Sequence, residues 1–179
     1  MVIINDFGHG LLTEKIRNFV QKKSKFLALN CQTNSSNVGY NFITKYTQAD
    51  YVTIDEPEAR LSTQKRFAPI DEVISILKRQ IKFYVCSITR GENGSVVFQS
   101  SLKAKKYFQC PVFNSNATDT VGAGDAYFAL SSLVAAVESK VEPIALIGNV
   151  AGALKVSYLG HRKYIKKNSV IGFLKSIFS

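Results

Sequence analysis

The sequence predicts an α/β protein built on a mainly parallel sheet covered on both faces. Two patterns predict it: short apolar runs alternate along the chain with segments of helical spacing, and loops rich in glycine and acid follow several of those runs. Length adds a third: 179 residues, 46% hydrophobic and 20% charged, suit one well-packed domain over 1–179 and are short for two.

The elements follow in order. Val2-Ile3-Ile4-Asn5 is an apolar run closed by Asp6-Phe7-Gly8-His9-Gly10, after which Ile16, Phe19 and Val20 stand at helical spacing: strand, glycine loop, helix. Residues 26–29 read as a second strand before the polar loop 32–37, and residues 51–54 as a third before Asp55-Glu56-Pro57-Glu58. Pro57 suits the first turn of a helix, where its missing N–H is not needed. Ile70, Val73, Ile74, Leu77 and Ile81 define an amphipathic helix, and residues 83–88 a buried strand running into Thr89-Arg90-Gly91-Glu92-Asn93-Gly94. Residues 95–99 return as a hairpin partner. Further short strands lead to the loop 119–125, then to helices over 126–137 and 143–158 and a last helix around 169–177.

No stretch approaches the apolar length of a membrane span, and the start Met-Val-Ile-Ile-Asn-Asp meets an acid too early for a signal peptide, so a cytoplasmic protein is expected. Cys31, Cys86 and Cys110 are odd in number and widely spaced, which suggests neither a disulfide framework nor a zinc site but reduced, partly buried thiols. The net charge of +10 favours anionic partners, ATP and sugar phosphates among them. Arg162, Lys163, Lys166 and Lys167 form a basic run that fits nucleic acid or a plain solvated face, and no recognised nucleic-acid module accompanies it.

Gly122-Ala123-Gly124-Asp125 carries the most chemistry. Small residues opening a helix leave N–H groups where the helix dipole favours an anion, and a carboxylate beside that anion is a natural acceptor for a hydroxyl proton, the pairing that phosphoryl transfer to an alcohol needs. Glycines that merely let helices pack closely, with Asp125 as a surface acid, fit the tetrapeptide alone equally well. There is no Gly-x4-Gly-Lys-Ser/Thr P-loop, and the third glycine of the dinucleotide fingerprint is missing.

The longer run Asp119-Thr120-Val121-Gly122-Ala123-Gly124-Asp125-Ala126-Tyr127-Phe128-Ala129 resembles the C-terminal signature of the ribokinase-like (PfkB-type) sugar kinases. Thr89-Arg90-Gly91-Glu92-Asn93-Gly94 resembles that family's Thr-x-Gly-x-x-Gly turn beside the nucleotide, with Thr89, Gly91 and Gly94 at its fixed positions. Asp55-Glu56-Pro57-Glu58 stands in the place of its Asn-x-x-Glu element, which acts on magnesium and phosphates through water, and Asn149 resembles the late helix beside the adenine. Asp6-Phe7-Gly8-His9-Gly10 is similar to the Asp-Tyr-Gly-Lys-Gly segment of heptose 7-phosphate kinases, including those fused to a nucleotidyltransferase, with His9 in place of the lysine.

The resemblance implies a Rossmann-like, three-layer ribokinase fold and a kinase that moves the γ-phosphate of ATP to a sugar or sugar-phosphate hydroxyl. Asp125 would take the hydroxyl proton, while the N–H groups of Gly122, Ala123 and Gly124 stabilise the transferred group. Glu58 and Asp55 would place Mg2+; the departure from asparagine at Asp55 either strengthens that interaction or marks a changed site. Asp119 and the backbone near Val121 fall where relatives hold a monovalent cation such as K+, although turn capping also explains Asp119. Asn30 corresponds to a position that reaches the nucleotide phosphates, or it caps the following turn. Asp6, Gly8 and His9 would border the substrate, and a loop histidine without a catalytic part is the other reading of His9.

Only the C-terminal part of the family pattern occurs in this sequence; the first strands, the Gly-Gly sugar signature and the β lid are absent from it. A sheet lacking its first strands should expose an apolar edge, which predicts self-association or pairing with an N-terminal kinase half. The rival expectation is a nucleotide-binding or scaffold module without turnover, and a nucleic-acid-binding protein is the third.

Overall fold

The computed structural model describes residues 1–34, 36–100, 105–113, 120–138, 140–157 and 164–179. The chain forms two compact units, one made of residues 1–89 and 98–107 and the other of 90–97 and 108–179.

In the first unit, β1 (Val2–Asp6), β2 (Leu27–Cys31), β3 (Gln48–Asp55) and β4 (Lys82–Thr89) lie side by side in sequence order, and each adjacent pair is parallel. The connections carry α1 (Glu14–Lys23), α2 (Glu56–Thr63) and α3 (Ile70–Gln80). Because the strands add in one direction, right-handed crossovers bring all three helices to one face of the sheet. The expected amphipathic helix is α3: Val73, Ile74 and Leu77 are buried, and α3 packs on α2 and β4. Each of those side chains contributes about 1.5–3 kcal/mol by leaving water, and Leu77→Ala removes about 2–5 kcal/mol. All five residues of β2 are buried, as a central parallel strand requires.

Local signals set the helix ends. Thr13 caps α1 through its side-chain oxygen, which accepts from the Ile16 N–H at 3.4 Å. Asp55 and Glu58 form a reciprocal capping box at the start of α2, with Pro57 in its first turn as expected. Gln64 ends α2 in the left-handed conformation, φ 56°.

The second unit contains α4 (Ala123–Ala135), α5 (Val141–Val156) and α6 (Lys167–Phe178). Helix α5 packs against both α4 and α6 and buries residues around most of its circumference, which explains its nearly uniform apolar sequence. Gly148 permits the α4–α5 approach: a Cβ there would lie 2.5 Å from the Tyr127 ring. Two further strands, β5 (Ser95–Ser100) and β6 (Lys105–Cys110), complete a six-stranded sheet in the order β1-β2-β3-β4-β5-β6. Residues 90–94 are too few for a parallel crossover, so β5 returns antiparallel to β4, the expected hairpin.

Two helices begin earlier than their sequence pattern suggests. Helix α4 starts at Ala123 rather than at residue 126, because Gly122 takes the left-handed conformation, φ 78°, and reverses the chain immediately before it. Helix α5 starts at Val141, with Pro143 inside its first turn. A short 3-10 turn at Ile43–Lys45, not evident from periodicity, delivers Tyr46 to the core.

Candidate active site

In the first unit the residues singled out from the sequence gather at the carboxyl ends of the parallel strands. Asp6 ends β1, Asn30 lies one residue from the end of β2, Asp55 ends β3 and Thr89 ends β4. The register sets Asn5 beside Asn30, Asn30 beside Thr53 and Thr53 beside Ser87, so a polar row crosses four strands on one face. One residue further on from Ile54 and Ile88, Asp55 pairs in register with Thr89.

Asp6 is a structural hub. Its carboxylate accepts from the Tyr46 hydroxyl and from Lys45 Nζ, each at 2.7 Å, and from the Gly8 N–H at 2.9 Å. Burial by itself would raise this carboxyl; the bonds from Lys45, Tyr46 and Gly8 and the Lys45 charge outweigh that and hold it below the ordinary carboxylate range. The Tyr46 hydroxyl is correspondingly pushed up, first by burial and then by its bond to Asp6. Asn41 donates to the main-chain carbonyls of Asp6 and Gln32 and accepts from Lys45, which joins the loops after β1 and β2. Gly8, at φ 75°, leaves no room for a side chain, since a Cβ would meet Asn37 and Asn41 within 2.8 Å. His9 is exposed and its ring lies 6.4 Å from that of Phe7.

Glu58 is equally committed. One carboxylate oxygen accepts from both the N–H and the hydroxyl of Thr33, at 2.7 and 3.0 Å, and the other accepts from the Asp55 N–H at 3.4 Å. Asp55 is pushed above its ordinary value by loss of solvent first and by the Glu58 charge second. Two carboxylates that repel in this way suit a divalent cation. Magnesium keeps several of its waters and takes one or two carboxylates, so the pair fits it even though no group of three or more such ligands occurs among the described residues. The Asn30 amide nitrogen donates to the Thr53 carbonyl at 3.0 Å and to its hydroxyl at 3.2 Å. Its oxygen is buried and accepts no hydrogen bond. Asn30 therefore offers an acceptor, which suits a donor or a cation-bound water rather than a phosphate oxygen.

In the second unit the turn after β4 is held by two glycines. Gly94, at φ 75° and ψ −129°, passes so close to the end of β6 that a Cβ would lie 2.1 Å from the Cys110 carbonyl oxygen. Gly91 also has positive φ, 55°, and its carbonyl accepts from the Gly94 N–H. Gly122 caps α4, and Asp125 stands in the first turn of that helix. The Ala123 N–H closes a turn onto the Thr120 carbonyl at 3.2 Å, so Gly124 supplies the next first-turn N–H. Asp119 lies outside the described residues. Asn149 is built into the helix packing: it donates to Ser95 Oγ at 2.8 Å and to the Ala145 carbonyl at 3.1 Å, and the Tyr127 hydroxyl bonds the same Ser95 oxygen at 3.2 Å.

Sequence reasoning did not single out Lys45, Tyr46, Asn41 or Thr33. The Asp6 and Glu58 groups they bond lie 25–40 positions away along the chain, and neither motif nor period marks them.

The model of the pfkB family carbohydrate kinases matches residues 22–168. The "Bifunctional protein HldE" of Helicobacter hepaticus is 28% identical over 164 residues, covering 89% of this chain and 32% of that protein. The protein of the same name from Campylobacter jejuni strain RM1221 is 28% identical over 162 residues, covering 89% and 33%. Phosphofructokinase-2 from Escherichia coli, solved with substrates and products, superposes with a TM-score of 0.74 at 15% identity over 99% of this chain and 57% of its own. Arabidopsis thaliana ribokinase, solved with ribose and ATP, gives 0.73 at 18% identity over 90% and 51%. The chain thus spans about a third of those curated relatives and about half of the solved kinases.

Proposed function

This chain belongs to the pfkB family of carbohydrate kinases, and on that premise we propose that it is the C-terminal, nucleotide-binding and catalytic portion of a kinase transferring the γ-phosphate of ATP to a sugar-phosphate hydroxyl. Heptose 7-phosphate is the proposed acceptor, by likeness to the HldE proteins and to the Asp6-Phe7-Gly8-His9-Gly10 segment. The observation that carries the reading is the start of α4, where Gly122 reverses the chain and Asp125 follows in the first helical turn.

Asp125 removes the proton of the acceptor hydroxyl as its oxygen attacks phosphorus, a contribution of about 10²–10⁴ in rate. The helix dipole and first-turn N–H groups, Gly124 foremost, favour the anionic group being transferred. Asp55 and Glu58 would hold Mg2+, which supplies charge neutralisation for the phosphates. Asn30 would meet a magnesium-bound water through its oxygen. Thr89, Gly91 and Gly94 shape the turn proposed to border the nucleotide, with Asn149 buttressing α5. Asp119 and the Val121 backbone are the proposed position for K+. Asp6 and Gly8 keep His9 at the proposed substrate side by fixing the loop after β1.

Calorimetric titration with Mg-ATP, paired with ADP release in the presence of heptose 7-phosphate, tests this. Binding abolished by Gly124→Val and sugar-dependent release abolished by Asp125→Asn are expected. Because the chain spans only about half of the solved kinases, nucleotide binding without turnover is the second reading. Absence of any Mg-ATP binding by a folded chain would defeat both.

A further inference from the structure

We propose that the cleft at the amino ends of β2, β3 and β4 is a second binding site, and that it takes a small phosphorylated sugar or polyol. It lies at the far end of the same parallel strands from Asp55 and Thr89, so it stands or falls apart from the kinase reading.

The cleft has a volume of about 350 Å³, within the range of small-molecule sites. Its walls are fixed by hydrogen bonds. Gln21, near the end of α1, accepts through Oε1 from the Thr47 N–H at 2.7 Å, the Thr47 hydroxyl at 3.0 Å and the Gln48 N–H at 3.1 Å, and the Gln48 side chain donates back to the Gln21 carbonyl at 3.2 Å. That ties α1 to the start of β3. The Asp50 carboxylate accepts from the Leu27 N–H at 2.7 Å, which ties β3 to the start of β2, and the register sets Gln48 beside Lys82 at the start of β4.

Donors converge on these walls. Lys25 and Lys82 are exposed at the cleft, and among the described residues neither enters an ion pair. Tyr84 is 46% exposed, and its hydroxyl oxygen already accepts from the Gln99 amide at 2.6 Å, which leaves its proton to donate. Ser24, just past α1, lines the cleft with a hydroxyl that is buried and bonds nothing; a turn about its Cα–Cβ bond offers it a ligand acceptor. Two ammonium groups and two hydroxyl donors select phosphate oxygens, which only accept. Asp50 is the one carboxylate lining the cleft, and the oxygen not used by Leu27 accepts from a ligand hydroxyl while repelling a second anionic group. A phosphate monoester with hydroxyls satisfies both demands, and a bare anion satisfies only the first.

The probes are ribose 5-phosphate and glycerol 3-phosphate, titrated into the full chain with amide NMR as the readout. Saturable shifts are expected at Lys25, Leu27, Lys82 and Phe83. The Lys25→Ala, Lys82→Ala double variant, changed only at exposed positions and keeping the parent's melting curve, should bind about tenfold more weakly. Gly124→Val and Asp125→Asn should leave these shifts unchanged, which separates this site from the kinase reading. The proposal is overturned by no saturable shift at these residues up to about 10 mM of either probe, or by shifts confined to the neighbourhood of Asp55 and Thr89. Equal shifts with sodium sulfate at the same ionic strength would also overturn it, since they would mean a general attraction of anions to lysine.

Discussion

Replacing Asp6 by alanine decides whether that carboxylate serves the fold or the substrate. The substitution leaves the Tyr46 hydroxyl, in a fully buried side chain, without its acceptor, which costs about 1–3 kcal/mol. It also removes the partner of Lys45, whose side chain is 24% exposed and can turn to water, so that loss is discounted to about 1 kcal/mol. With the Gly8 N–H bond gone as well, the total is about 3–5 kcal/mol. At roughly 2–4 °C per kcal/mol for a chain of this size, Tm falls by about 10 °C. Urea unfolding followed by circular dichroism measures it. The pH dependence has a defined sign. The folded carboxyl lies below its ordinary value of 3.8, so its contribution is complete above that value and disappears as pH falls through the folded pKa. Asp6→Ala should therefore flatten the acid limb of the stability profile. A loss under about 1 kcal/mol accompanied by collapse of sugar-dependent turnover would refute the hub and return Asp6 to the substrate.

Gly94→Ala forces a Cβ against the Cys110 carbonyl in a backbone conformation that L-residues avoid, and should lower stability by at least about 2 kcal/mol, read by the same unfolding curve. Glu58→Gln removes the charge that helps raise Asp55, so the Asp55 carboxyl should titrate lower by carbon-detected NMR; an unchanged titration would mean that the Glu58 charge does not contribute. Asp55's raised pKa also means that its protonation favours the fold at low pH, a contribution lost as pH rises through the folded value. Burial pushes Cys86 up to about 12 and raises Cys31 and Cys110, so no thiol should react with iodoacetamide near about pH 8 faster than the chain opens. Rapid labelling of one cysteine in the folded chain would contradict its burial.

Much of the architecture was legible because it depends on period and punctuation. The spacing of Ile70, Val73, Ile74 and Leu77 specifies α3, and the apolar runs at the front of the chain become β1 to β4. Acids and glycines just beyond those runs lie at the strand ends, where a parallel sheet presents them. The roles of individual side chains were less legible. Asp6 and Tyr46 stand 40 positions apart, and only the folded loop after β2 brings them together. Asn30 reads equally as donor or acceptor until Thr53 takes its amide nitrogen. Helix α4 starts three residues before its apolar pattern suggests, because a left-handed Gly122 lets a helix begin where the sequence still reads as a glycine loop.

The order of the sheet repeats the order of the chain: each strand from β2 onward lies beside the one made just before it. Among the described strands, each one after β1 therefore finds its neighbour already made. Among these six strands, assembly can proceed by addition in chain order. The same economy makes the sheet divisible, since separating it between any two strands breaks a single seam and leaves every other pairing intact.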